Sequence, residues 1–132
     1  MVRILLLLFV SIFFSYAQTK KPVVIEADAL RYDKKAQTAV YEGNVTVKSD
    51  DFRLFSEKLE IFLDERGDIK KIIAVGNVRF YKGNRKGKSK RAEYYRNKNL
   101  IVLKGNAELQ QDNNIIEGMR LYIIWIQKKL RL

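Results

Sequence analysis

The chain has 132 residues, 47% apolar and 31% charged, and Lys+Arg 26 against Asp+Glu 15 gives a formal charge of +11, which suits a basic protein with one packed core. It has no cysteine and no histidine, which excludes disulfides, thiolate and imidazole metal sites, cysteine nucleophiles and histidine general bases. Catalysis would rest on carboxylate, lysine or tyrosine, so the composition points to binding, and the charge points to anionic partners: nucleic acid, acidic lipid headgroups or phosphorylated glycans.

Met1-Val2-Arg3 carries one positive charge, Ile4 to Phe14 is an apolar run, and Ser15-Tyr16-Ala17 places small residues where a signal peptidase reads. Residues 1–17 are expected to be a signal peptide cleaved after Ala17. The run is short for a membrane span, which needs about 20 apolar residues, although its retention as an anchor is the competing reading. Cleavage removes only Arg3, leaving a basic, cysteine-free protein of the bacterial cell envelope. Residues 18–132 are expected to be a single domain.

From Val23 the dominant period is two. Strands are expected over Val23–Tyr32, Gln37–Val47, Phe52–Leu63, Ile69–Tyr81, Ala92–Arg96, Leu100–Leu109 and Ile115–Ile126. Turn chemistry separates them at Asp33-Lys34-Lys35, Ser49-Asp50-Asp51, Asp64 to Asp68, Lys82 to Lys88, Asn97-Lys98-Asn99 and Asp112-Asn113-Asn114. This spacing, with no helix between strands, implies an all-β antiparallel meander. Phe55 to Asp64 also reads as an amphipathic helix with a capping-type start, and the repeats decide for a strand.

Tyr41-Glu42-Gly43-Asn44-Val45-Thr46-Val47, Ala74-Val75-Gly76-Asn77-Val78-Arg79-Phe80 and Leu103-Lys104-Gly105-Asn106-Ala107-Glu108-Leu109 follow one template. The apolar face continues in phase through each Gly-Asn, so the pair is expected to be a bulge or bend rather than a hairpin turn. A second template, apolar-x-small-x-x-apolar-x-apolar, alternates with it at Ile25–Tyr32, Leu54–Ile61 and Ile116–Ile123, with a weaker copy at Lys90–Tyr95. Its step of three predicts an irregularity at the same place in every copy.

These alternating templates resemble the periplasmic lipopolysaccharide-transport family typified by LptA, also called the OstA-like domain, over about Val23 to Tyr122. The resemblance implies a twisted, open-ended, V-shaped β-jelly roll of two sheets with a greasy interior for lipopolysaccharide acyl chains, and end-to-end stacking. It implies other Lpt-type β-jelly-roll proteins of the inner and outer membrane as partners, and no cofactor. A membrane-anchored assembly factor of the LptC type, with Ile4 to Phe14 as the anchor, and a basic periplasmic glycan-binding scaffold are the alternatives.

Exposing acyl chains to water costs about 0.8 kcal/mol per CH₂, so a lipid carrier needs a continuous apolar trough with a soluble outer face. Candidate lining residues are Ile25, Leu30, Val45, Val47, Leu54, Leu59, Ile61, Val78, Phe80, Leu103, Leu109, Ile116 and Leu121. Alternation does not distinguish such a trough from a filled sandwich core. Lys82, Arg85, Lys86, Lys88, Lys90 and Arg91 read as a basic loop, either a solvated connection or an attractor of phosphorylated headgroups or an anionic bilayer. Nucleic acid is disfavoured by the secreted location and the lack of interleaved aromatics.

The acid pairs Asp50-Asp51 and Asp64-Glu65 fall in turns, where carboxylates cap backbone groups, and no enzyme activity is expected. The last strand is apolar on both faces at Ile123, Ile124, Trp125 and Ile126, which fits either burial within its own domain or an edge that pairs with the first strand of another copy, head to tail. Lys128, Lys129 and Arg131 would keep the free end soluble.

Overall fold

The computed structural model describes residues 22–124, and the regular structure there is β apart from one 3-10 turn at Arg96–Lys98. The strands are β1 (Val24–Glu26), β2 (Ala29–Asp33), β3 (Thr38–Ser49), β4 (Phe52–Leu63), β5 (Ile69–Lys82), β6 (Arg85–Tyr95), β7 (Leu100–Gln111) and β8 (Asn114–Ile124). They form one continuous antiparallel sheet in the order β1-β3-β4-β5-β6-β7-β8, with β2 also on β3. This is the expected meander. The expected signal segment, residues 1–17, and Trp125, Ile126 and the basic tail lie outside the described residues.

Two boundaries differ from the expectation. The first predicted strand is two, β1 beside the upper half of β3 (Ile25 opposite Val47) and β2 beside its lower half (Leu30 opposite Tyr41). The chain steps between them at Ala27-Asp28, where the Asp28 N–H donates to the Gly43 carbonyl at 2.9 Å. The basic loop is mostly strand: only Gly83, at φ 59°, and Asn84 connect Lys82 to Arg85. Its period of two was hidden because Gly87 and Ser89, not large apolar residues, hold the buried positions between exposed Lys86, Lys88 and Lys90. The weaker second-template copy therefore begins at Gly87, with Ser89 as its small residue.

The Gly-Asn pairs are bulges, as expected, and they line up. Both residues of each pair have positive φ: 87° and 48° at Gly43-Asn44, 94° and 47° at Gly76-Asn77, 89° and 48° at Gly105-Asn106. On the neighbouring strands a single residue answers each pair, so Glu42 to Val45 on β3 is matched by Lys58 to Ser56 on β4. The same shift recurs between β4 and β5, β5 and β6, β6 and β7, and β7 and β8. Asp28, Glu57, Lys90 and Met119 are the single residues, and the second template's step of three is the complement of the bulge. Asp28 and Lys90 also show why glycine is needed. A Cβ on Gly43 would lie 2.5 Å from Asp28 Oδ2, and one on Gly105 would lie 2.8 Å from Lys90 Cβ. Together the bulges crease the sheet from edge to edge.

Candidate functional site: a creased apolar trough

Burial on the inner face is graded about the crease. On its two sides lie Val45, Val78 and Ala107, and Tyr41, Leu59, Ala74, Ala92 and Leu103, all buried, with Val78 and Leu103 at 0% exposure. Between them Ser56 and Ser89 are buried too, and each hydroxyl donates to the carbonyl two residues on, Lys58 at 3.1 Å and Arg91 at 3.0 Å. Lys58 and Arg91 are the residues at which the register shifts, so the serines bond to the backbone at the crease itself.

Farther out on the Val45 side of the crease the inner face opens, whereas on the Tyr41 side Ala39, Ile61 and Leu63 stay buried. Val47 pairs with Leu54, Leu54 with Phe80, Phe80 with Gly87, Gly87 with Leu109 and Leu109 with Ile116, a row that crosses the sheet and ends on edge strand β8. Val47, Leu54, Phe80 and Leu109 are half-buried and Ile116 is 54% exposed. The structure thus divides the candidate lining residues. Ile25, Val45, Leu59, Ile61, Val78 and Leu103 form the closed floor and core, whereas Leu30, Val47, Leu54, Phe80, Leu109, Ile116 and Leu121 keep accessible apolar surface. Floor and flanks form one apolar cluster, with Val47, Leu54, Phe80 and Leu121 packed against the buried residues.

The opposite face is mixed, with buried Ile73 and Val102 either side of Glu93 among charged and aromatic side chains. Arg79 lies over the Phe55 ring with its guanidinium carbon 5.1 Å from the centroid, and Tyr81 meets Phe55 edge-on at 6.1 Å. The six basic candidates do not form one patch. Lys82 pairs with Asp51 at 3.1 Å across two turns, Lys88 lies 3.7 Å from Glu108, and Arg91 donates to Glu93 at 2.7 Å. Lys86 and Lys90 are exposed, and Arg85 is exposed at the hairpin turn. Of the turn acids, Asp64 accepts from the Arg66 and Asp68 N–H groups, both at 2.9 Å, and these bonds hold its carboxyl below the usual carboxylate range.

Glu93 was not singled out by the sequence. It is buried on this outer face and accepts from Arg91 Nε at 2.7 Å, Tyr95 Oη at 2.8 Å and Lys104 Nζ at 3.2 Å. Burial alone would raise its pKa; the three donors outweigh burial and bring it down to about 2. The carboxylate ties β6 to β7 beneath the trough.

Edge strand β8 carries exposed Ile115, Ile116, Met119, Tyr122 and Ile124 on both faces. Of the expected assembly residues, Ile124 is exposed and Ile123 is partly buried against the core.

An open sheet, creased along one line and apolar on the concave side, defines an all-β jelly roll of the trough-forming kind. A family model described as LptA/(LptD N-terminal domain) LPS transport protein matches residues 24–128, and the chain belongs to that family. It is 28% identical over 109 residues to the lipopolysaccharide export system protein LptH of Pseudomonas aeruginosa, an alignment covering 77% of this chain. The chain spans 62% of that relative's length. The crystal structure of LptH, described as the LptA-homologous periplasmic component of the lipopolysaccharide transport device of the same organism, superposes with a TM-score of 0.71 at 23% identity. The superposition covers 79% of this chain and 76% of that one, so the fold is shared.

Proposed function

We propose that the chain is a periplasmic, non-enzymatic carrier that holds lipopolysaccharide by its acyl chains in the creased trough and passes it between the inner and outer membranes. The observation that carries this reading is the row Val47, Leu54, Phe80, Gly87, Leu109 and Ile116, half-buried apart from buried Gly87 and exposed Ile116, which runs from β3 to the exposed edge strand β8. Family membership and the periplasmic setting named for LptH support it. Residues 1–17 act as the cleaved signal peptide and residues 18–132 as one domain; the mass of the mature protein tests this. A photo-crosslinker at Phe80 should label lipopolysaccharide in cells, and one at Arg79, on the opposite face, should not. Equal labelling at the two positions would overturn the assignment.

The carrier continues from copy to copy, or into other β-jelly-roll proteins of the same pathway, through β8. All neighbouring strands are antiparallel, so the two edges of the sheet, β1/β2 and β8, run in the same direction. A head-to-tail joint that keeps the inner face continuous therefore pairs β8 in parallel with β1/β2 of the next copy. At both edges a single residue stands on the crease, Met119 at one and Asp28 at the other, so the crease continues through the joint without another bulge. Lys86, Lys88 and Lys90 on β6 add long-range attraction for anionic headgroups.

A further inference from the structure

Among the described residues, the trough floor holds a buried side-chain hydroxyl that the fold leaves without a partner. Tyr41 is 1% exposed and sits in the inner row between Leu30 on β2 and Leu59 on β4. Among the described residues no group accepts from or donates to its hydroxyl, whereas the other buried polar side chains, Ser56, Ser89 and Glu93, are all hydrogen-bonded. The repeat does not demand the hydroxyl either: the equivalent positions in the other two copies are Ala74 and Leu103. Burial pushes the phenol up to about 12, so it is a neutral donor at any working pH. A buried donor without an acceptor is unfavourable, and the penalty is relieved only when an acceptor is brought to it.

We infer that the Tyr41 hydroxyl is a polar anchor on the trough floor, donating a hydrogen bond to the ester or amide carbonyl that joins an acyl chain to its sugar. The inference rests on the carrier reading and adds to it. The apolar rows recognise chain length without regard to position, whereas a single donor on the floor sets how far along the trough the chain lies. An acyl chain laid along the trough brings its linking carbonyl to the ring's polar end and delivers the acceptor.

Tyr41→Phe, which keeps the ring and removes the oxygen, tests this with two single-chain amphiphiles below their micelle concentrations: dodecanoyl maltose ester and dodecyl maltoside, which lacks the carbonyl. The wild-type protein should bind the ester more tightly than the ether by about fivefold, the worth of one neutral hydrogen bond, and Tyr41→Phe should lose that preference while binding the ether unchanged. The variant should melt at the same temperature or higher. If wild type and Tyr41→Phe both bind the two amphiphiles with equal affinity, or if the variant is destabilised with its preference intact, the anchor is wrong and the carrier reading stands. If neither amphiphile binds the wild-type protein, both fall together.

Discussion

Phe80 covers Gly87, its partner on the adjacent strand, so closely that a Cβ on the glycine would lie 2.5 Å from the ring's Cε2 and Cζ. The aromatic ring fills the site of the missing side chain and keeps the trough's upper row apolar across a position with none. Gly87→Val should push the ring out into solvent and destabilise the protein by about 1–3 kcal/mol, read as a lower urea midpoint at unchanged slope. Gly87→Val in a Phe80→Ala background should cost less than the sum of the two single changes, because the ring it clashes with is gone.

Glu93 makes stability depend on acid. Its folded pKa of about 2 lies below the ordinary glutamate value of 4.5, so the contribution is fully present above about pH 4.5 and is lost as pH falls towards 2. The shift corresponds to about 3 kcal/mol at neutral pH. Glu93→Gln should lower the urea midpoint at pH 7 and flatten the stability curve between pH 4.5 and 2; an unchanged slope there would show that other carboxylates govern acid unfolding.

The bulge glycines should be far less replaceable than the glycine on β8. Gly76 has φ 94° and its missing Cβ would run into the Glu57 side chain, so Gly76→Ala should cost about 1–3 kcal/mol. Gly118 has ordinary backbone geometry and nothing closer than 3.4 Å to a new Cβ, so Gly118→Ala should change stability by no more than about 0.5 kcal/mol. Chemical denaturation of the two variants side by side makes the comparison.

The proposed parallel joint predicts a pattern of disulfides. A Met119→Cys protein oxidised alone should remain uncrosslinked, and mixing it with an Asp28→Cys protein should yield covalent pairs. A dimer formed by Met119→Cys alone would indicate antiparallel pairing of β8 with its own copy, a closed two-fold contact in place of an open chain.

The meander, the bulged Gly-Asn pairs and the second template were legible because large apolar residues repeat at period two around them. Arg85 to Ser89 read as a loop because its inner positions are held by Gly87 and Ser89 rather than large apolar residues; Phe80 on the adjacent strand covers Gly87, and the Ser89 hydroxyl bonds to the Arg91 carbonyl of its own strand. The split of β1 from β2 was hidden for a related reason: Ala27-Asp28 fits the strand template, and only the facing Gly43-Asn44 bulge shows that the chain must step there. Which candidate lining residues form the floor and which the open flank also depended on the crease. Val45 and Val47 are alike in the sequence, yet one lies beside the crease and the other one pleat away. Glu93 escaped notice because two of its partners, Arg91 and Tyr95, look like ordinary strand alternation and the third comes from β7.

The pairing of a four-step strand with a three-step neighbour means that the trough can change length only in whole hairpins. A single added strand would set two bulged strands, or two unbulged ones, side by side within the sheet and would reverse the direction of one edge. An added pair preserves both the crease and the polarity of the ends. Trough length is therefore quantised, and a protein built this way can be lengthened or shortened by one hairpin and still present the same two edges, in the same direction, at either end.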